Sequence, residues 1–143
     1  MCFLTTLECS AKCGVGPYNP HERQSLCSCG SPLLAQYDLN TLANTWSKEM
    51  LLERPDTLWR YREVLPIASG VLPVTLGEGF TPLIRAHRLE KKLGIRTLYV
   101  KDESLNPTNS FKARGLSVAV TRARDLGAVT LSVPSAGNAA NAL

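Results

Sequence analysis

Lys112 is the first candidate for chemistry, because it lies in the segment NPTNSFKARG, two residues after a serine. If Ser110 caps a helix, Lys112 falls in the first helical turn, where the positive end of the helix dipole disfavours a cation. An amine that is held against this potential and enclosed by neighbours such as Phe111 releases its proton more readily and can act as a nucleophile. The segment therefore predicts a lysine that forms a Schiff base with a carbonyl cofactor.

A second candidate loop, PSAGN, follows the apolar segment AVTLSV and leads into helix-forming residues. Ligands of open α/β sheets bind beyond the carboxyl ends of strands, and the lysine loop also follows a predicted strand. Side chains as small as those of this loop allow backbone N–H groups to approach an anion closely. We therefore expect both loops to face one pocket, and the candidate residues of the second loop are Ser135, Ala136, Gly137 and Asn138.

Four cysteines near the N-terminus form the third candidate site. Cys9 and Cys13 are separated by three residues, Cys27 and Cys29 are separated by one, and a glycine follows each pair. Zinc ribbons generally use pairs separated by two residues, since that knuckle directs both sulfurs at one metal. Two close pairs followed by glycines still predict a ribbon-like zinc site made of these four thiols, and Cys2 is left over.

The elements that must position these residues follow a regular pattern after Val74. Apolar spacing and turn residues alternate between helical and extended patterns, which favours an α/β fold with a parallel sheet. The predicted elements are a helix over 85–94 that ends at Gly94, a strand over 96–103, a helix from Ser110 to Leu126 and a strand over 128–133.

Composition divides the chain into three predicted domains. A Cys-rich, zinc-ribbon-like segment covers 1–38, a helical or irregular connector covers 39–73, and an α/β domain covers 74–143. The last residues, SVPSAGNAANAL, begin a helix without a stop signal, and so short a helix is marginal alone. We therefore expect the sequence to be part of a longer protein and its α/β domain to be truncated.

The composition is that of a globular protein, with 44% hydrophobic and 20% charged residues and a formal charge of +4. Basic residues are interspersed with acidic ones, which predicts no nucleic-acid partner. No segment reaches the roughly 18 apolar residues of a membrane span, and the N-terminus lacks the basic flank of a signal peptide. These features predict a cytoplasmic protein with reduced thiols. We expect structural or surface charges at Asp102 and Glu103 and a solvated helix face at Arg114, Arg122 and Arg124.

The motifs GEGFTPL, NPTNSFKARG and SAGNAANA, in this order, resemble those of threonine synthase and the other fold-type II pyridoxal-phosphate enzymes, which share a tryptophan synthase beta-like fold. The resemblance extends from about Gly77 to the end, and the Cys-rich segment also looks like that of many threonine synthases. It implies pyridoxal phosphate as cofactor, Lys112 as its Schiff-base partner and proton shuttle, and Asn138 as the partner of the cofactor's 3-hydroxyl. The substrate-binding residues that it implies are Ser135, Ala136 and Gly137 for the carboxylate, and Thr81 with Pro82 as a wall of the entrance.

Two positions depart from the family's common pattern. Asn109 replaces a frequent glycine, and Ala113 replaces a frequent aspartate. Because asparagine tolerates a left-handed backbone, we expect the turn to be intact. The family's glycine-rich phosphate loop and its pyridine-nitrogen partner normally lie further downstream, so we expect this chain to hold the aldehyde end of the site and to be inactive alone.

The resemblance implies a homodimeric lyase that converts O-phospho-L-homoserine and water to L-threonine and phosphate. Two alternatives remain open within the same cofactor chemistry: a threonine or serine dehydratase, and a β-replacement enzyme similar to cysteate synthase. An alternative of another class is a non-enzymatic zinc-ribbon protein whose α/β part is a remnant.

Overall fold

The computed structural model describes residues 2–143 and divides them into two compact units. The first, which we name the cysteine unit, comprises residues 2–55, 59–74 and 118–131. The second, the lysine unit, comprises residues 56–58, 75–117 and 132–143. Within the described chain, helices long and apolar enough to cross a bilayer are absent.

The cysteine unit begins with a β-hairpin. Strand β1 (Leu4–Cys9) pairs antiparallel with strand β2 (Leu33–Tyr37), and the register sets Cys9 opposite Leu33. The segment between the strands contains the other three cysteines of the predicted zinc site and therefore folds back over the Cys9 end of the hairpin.

Short helices follow the hairpin. The helix α1 (Leu39–Thr45) begins where the Asp38 carboxylate accepts a hydrogen bond from the backbone of Thr41. The helix α2 (Lys48–Leu52) and a kinked 3-10 segment over Leu58–Val64 complete the connector. The core of this unit is small, and its buried apolar side chains are Phe3, Cys9, Cys27, Leu42, Trp59 and Ile67.

In the lysine unit, strand β3 (Leu83–Arg85) pairs antiparallel with strand β4 (Tyr99–Lys101), and the helix α3 (His87–Leu93) connects them. The predicted helix end at Gly94 is confirmed, since Gly94 adopts the left-handed conformation at a φ of 65°. The Glu90 carboxylate on α3 accepts hydrogen bonds from Arg85 and from the Leu98 backbone, which fixes the helix against the hairpin.

Two further helices complete the fold. The helix α4 (Lys112–Asp125) ends close to the predicted boundary, with Gly127 at a φ of 78° just beyond it. The short helix α5 (Asn138–Asn141) begins at the predicted loop. Both helices thus begin immediately after the two loops to which the sequence assigns chemistry.

The α/β class is confirmed, but the predicted parallel sheet is wrong for the described part of the chain. Both sheets there are antiparallel pairs of two strands, and residues 128–133, predicted as a strand, have no strand partner. A parallel pair requires two strands joined by a crossover, each with a neighbour in the hydrogen-bonding direction. Residues 96–103 instead turn back onto the adjacent segment, where the short α3 connection permits an antiparallel pair.

Candidate cofactor and metal sites

Lys112 is the first residue of α4 and so lies in its first turn, as predicted. The buried Ser110 hydroxyl accepts a hydrogen bond from the Lys112 backbone N–H at 3.2 Å, as expected of a capping serine. The Lys112 ammonium lies 4.6 Å from the centre of the Phe111 ring, within cation–π distance. Asn109 adopts the predicted left-handed backbone, with a φ of 52°.

The lysine loop and the end of α5 are joined inside the lysine unit. The Asn141 side-chain amide donates to the Thr108 carbonyl at 3.4 Å, and α5 begins at Asn138. In the preceding loop, the Gly137 N–H donates to the Ser135 hydroxyl at 3.2 Å. The last residue of α5 therefore contacts the segment that precedes Lys112.

The residues here fit the aldehyde end of a pyridoxal-phosphate site. They offer a primary amine at Lys112, a side-chain amide at Asn138 and an open loop, because a Cβ added at Gly137 would approach only the Ser135 hydroxyl, at 4.0 Å. In addition, the Thr108 hydroxyl is buried without a hydrogen-bond partner among residues 2–143. A buried polar group of this kind requires a polar partner.

The GEGF motif forms a tight turn next to this region. Gly79 has a φ of 108°, and a Cβ there would lie 2.5 Å from the Leu58 backbone nitrogen, so only glycine fits. The fully buried Glu78 carboxylate accepts hydrogen bonds at 2.9 Å from the Thr75 hydroxyl and from the Leu76 N–H. Burial acts to raise the pKa of Glu78, but hydrogen bonds, led by that from Ser117, outweigh it and lower the pKa.

A polar cluster that sequence reasoning missed links this turn to the lysine helix. Arg114 donates to both carboxylate oxygens of Glu103, at 2.6 and 2.8 Å, and we name this pair the Glu103 clamp. The buried Asn106 side chain donates to Glu103 at 3.0 Å and accepts from the Gly79 N–H at 3.1 Å. The prediction that Arg114 belongs to a solvated helix face is therefore wrong. A cation in a first helical turn is disfavoured unless it has a counter-ion, and this was the available signal.

Thr81 lies inside the same cluster. Its hydroxyl donates to Glu103 at 2.5 Å, accepts from Arg114 at 3.3 Å, and the residue is buried. The clamp also affects charge: the hydrogen bonds from Arg114, then from Thr81 and Asn106, hold the pKa of Glu103 at about 2 although partial burial opposes this. Glu103 is thus an anion at neutral pH that holds three segments together.

The four cysteines of the predicted zinc site come together in the cysteine unit. Their sulfur atoms all lie within 4.8 Å of one another, with Cys9–Cys29 and Cys13–Cys27 each at 3.5 Å. All four are free thiols, since a disulfide would place the sulfurs about 2.05 Å apart. Four thiolates around zinc, at about 2.3 Å from the ion, would lie about 3.8 Å apart. We name these residues the cysteine cluster, and its spacing fits a tetrahedral zinc site.

The donor chemistry of the cluster also fits a cation. Hydrogen bonds from the Cys29 backbone and then from the Tyr18 hydroxyl lower the pKa of Cys27 to about 6. A backbone hydrogen bond from Val15 acts to lower the pKa of Cys13, but its three cysteine neighbours raise it to about 12. Some sulfurs therefore ionise easily while others resist a further negative charge, and a bound cation removes that conflict.

Comparison with known proteins finds a matching family model and several curated relatives. Residues 74–143 match the family model described as pyridoxal-phosphate dependent enzyme. The chain is 45% identical over 132 residues to threonine synthase of Methanocaldococcus jannaschii. The aligned residues make up 92% of the chain and 32% of that protein. It is 40% identical over 144 residues to threonine synthase of Methanosarcina acetivorans, with 100% of the chain and 33% of that protein covered.

The chain thus spans about a third of the length of these curated relatives. A threonine synthase of Mycobacterium leprae is 46% identical over 84 residues, or 59% of the chain and 23% of that protein. No solved structure matches the chain. From the family match and from the motifs around Lys112 and Asn138, we conclude that residues 74–143 belong to the family of pyridoxal-phosphate dependent enzymes.

Proposed function

We propose that the protein acts as a threonine synthase-like lyase, which converts O-phospho-L-homoserine and water to L-threonine and phosphate. The observation that supports the proposal is a lysine at a serine-capped helix start, in a segment whose Thr108 carbonyl accepts a hydrogen bond from Asn141 on the helix that begins at Asn138. Similarity to threonine synthases over 92% to 100% of the chain supports this substrate.

Lys112 has two tasks in this proposal. Its Nζ would hold the cofactor by condensing with the aldehyde, with release of water, and, once a substrate amine takes its place, would accept and return protons at the substrate carbons. Bound pyridoxal phosphate supplies an electron sink for these proton transfers. The helix start fixes the amine in position, since the Ser110 cap determines where the first turn begins.

The remaining residues bind and orient. The Asn138 amide is proposed to hydrogen-bond the ring hydroxyl of the cofactor, and Ser135, Ala136 and Gly137 to bind the substrate carboxylate through backbone N–H groups. Because the Thr81 hydroxyl is already bonded to Glu103 and Arg114, we propose that Thr81 shapes the entrance by fixing its own loop.

Borohydride reduction tests the assignment of Lys112. The full-length protein is mixed with pyridoxal phosphate, reduced and digested, and the pyridoxyl-labelled peptide is sequenced. The label is expected on Lys112 and is expected to disappear in Lys112→Ala but not in Lys91→Ala, which changes an exposed lysine on α3. A label on another lysine would refute the assignment.

Product analysis distinguishes the alternatives that use the same cofactor. A threonine synthase releases phosphate from O-phospho-L-homoserine and forms threonine. A dehydratase instead releases ammonia from threonine or serine, and a β-replacement enzyme consumes a second nucleophile. Phosphate release without threonine, or ammonia release alone, would contradict the proposed reaction.

We also propose that the cysteine cluster binds one zinc ion with a structural role. The support is a set of four sulfurs within 4.8 Å of one another, all of them free thiols. Elemental analysis of purified protein tests this and is expected to give about one zinc per chain. Zinc in a full-length protein that acquires no pyridoxyl label would favour the alternative of a non-enzymatic zinc-binding protein.

For the whole protein, we propose a homodimer that acts in the cytoplasm on a small amino-acid substrate and without nucleic acid. The interspersed charges that give a formal +4 support the last point. Light scattering of the full-length protein tests the homodimer, and a monomeric mass would contradict it.

A further inference from the structure

We propose that Tyr18 is a positioning residue of the cysteine cluster, which ties its two cysteine pairs together and donates a hydrogen bond to a metal-bound sulfur. The Tyr18 hydroxyl donates to Cys27 Sγ at 3.2 Å and accepts from the Ser28 backbone N–H at 3.1 Å. This inference rests on the zinc site proposed above and assigns a role to a residue outside the four ligands.

The backbone of Tyr18 is held on the other side of the cluster. Its N–H donates to the Leu7 carbonyl at 2.9 Å, and its carbonyl accepts from the Leu7 N–H at 3.0 Å. Leu7 lies on β1, two residues before Cys9. One residue therefore has its backbone fixed to the strand of the first pair and its hydroxyl fixed to the second pair.

The ring of Tyr18 spans the distance between these anchors because Gly16 leaves room for it. A Cβ at Gly16 would lie 3.2 Å from two carbon atoms of the ring, and Gly16 has a φ of 105°. A larger residue at this position would displace the ring and with it the hydroxyl. The arrangement is thus built into the chain between Cys13 and Cys27.

The hydrogen bond matters because four thiolates around zinc carry an excess of negative charge. An O–H group that donates to one sulfur withdraws part of this charge and orients the ligand. Removal of such an outer partner typically weakens metal binding by about ten- to a hundredfold. The Cys27 sulfur should also become a better electron donor to the metal when the hydrogen bond is absent.

Tyr18→Phe tests the inference, because it removes the hydroxyl and keeps the ring. We expect zinc affinity, measured by competition with a chromogenic chelator, to fall about tenfold. In cobalt-loaded protein, we expect the sulfur-to-cobalt charge-transfer band to move to longer wavelength. A general loss of structure would weaken binding without this spectral shift.

Tyr37→Phe is the matched control. Tyr37 lies on β2 opposite Leu4, at the end of the hairpin remote from Cys9. Its substitution is therefore expected to leave the zinc affinity and the cobalt spectrum unchanged. If the parent chain binds no zinc, the proposed metal site is wrong and the inference falls with it. If the parent chain binds zinc and Tyr18→Phe has the same affinity and the same cobalt spectrum, the metal site stands and the inference is wrong.

A second variant keeps the test valid if Tyr18→Phe does not fold. Site-specific 3-fluorotyrosine at residue 18 keeps both ring and hydroxyl and makes the O–H a stronger donor. The charge-transfer band is then expected to move to shorter wavelength, opposite to the shift in Tyr18→Phe. An unchanged band would overturn the role of Tyr18.

Discussion

The cysteine cluster and the lysine site are built in different ways. All four sulfurs of the cluster come from the stretch between Cys9 and Cys29, which closes over one end of a hairpin. The lysine site collects its groups from the GEGF turn, the segment after β4, the start of α4 and the short helix α5. The first site is local in sequence, whereas the second is assembled from separate segments.

This difference shows which interactions organise each region. A metal ion can hold ligands on loops with little core beneath them, because its bonds replace apolar packing. The lysine site depends instead on a buried carboxylate and on the Glu103 clamp, which fix its segments before any cofactor binds. The cysteine unit should therefore respond to metal, and the lysine unit should respond to changes in its polar contacts.

Metal removal is expected to have the largest effect. Structural zinc sites contribute on the order of 10 kcal/mol of binding free energy, which is lost when a chelator removes the ion. We expect amide hydrogen exchange in β1 and β2 to accelerate by several orders of magnitude, and exchange in β3 and β4 to change far less. Cys27→Ser should reproduce this pattern, whereas Cys2→Ser, outside the cluster, should not. Equal acceleration of exchange in both hairpins would contradict the proposal that the metal stabilises the cysteine unit more than the lysine unit.

Glu78→Gln is expected to have the next largest effect, in the lysine unit. The variant keeps the shape of the side chain but removes the charge of the carboxylate, whose Oε2 accepts from both the Leu76 N–H and the Thr75 hydroxyl. Hydrogen bonds to a charged group contribute more than those to a neutral one, so we expect a loss of about 2 kcal/mol. Hydrogen exchange at Leu76 and Gly79 should report this loss of local stability, with the exposed Glu53→Gln as control. Exchange that matches the parent protein would exclude a structural role for the carboxylate.

The two sites also differ in how far the sequence predicts them. The cysteine cluster follows from spacing alone, because ligands so close in sequence have few ways to be arranged. Lys112, its serine cap and the left-handed Asn109 follow from local rules for helix starts and turns. The Glu103 clamp does not, since Glu103 and Arg114 meet only after the chain folds.

The error in the sheet has the same origin. The alternation over 96–103 identifies an extended segment but contains no information about its neighbour. The apolar run over 128–133 satisfies the pattern of a buried strand, yet a strand forms only where another strand offers backbone partners. Local patterns thus predicted where elements lie, and nonlocal pairing decided which of them became a sheet.

Arg114→Lys is expected to have a smaller effect than Glu78→Gln. Lysine keeps the charge but cannot form the paired hydrogen bonds that Arg114 makes to both Glu103 oxygens. We expect a loss of about 1 kcal/mol in the local stability of the first turn of α4, measured by hydrogen exchange. In the full-length protein, pyridoxyl labelling of Lys112 should also slow, which a purely distant change such as Arg88→Lys should not cause. If Arg114→Lys is labelled at the same rate as the parent protein, the clamp has no effect on the reactivity of Lys112.

Acidification is expected to produce the smallest change in the clamp. The pKa of Glu103 is about 2 in the folded protein and lower than that of an unfolded glutamate, near 4.3. The stability that the ionised carboxylate contributes is therefore complete above about pH 4.3 and is lost progressively as the pH falls towards 2.

Other carboxylates with lowered pKa values act in the same direction, so the comparison must be made with Glu103→Gln. The parent protein should hold the first turn of α4 more firmly than Glu103→Gln at pH 6, and this advantage should shrink as the pH approaches 3. A constant difference between the two proteins over this range would show that the hydrogen bonds of Glu103, and not its charge, hold the lysine helix in place.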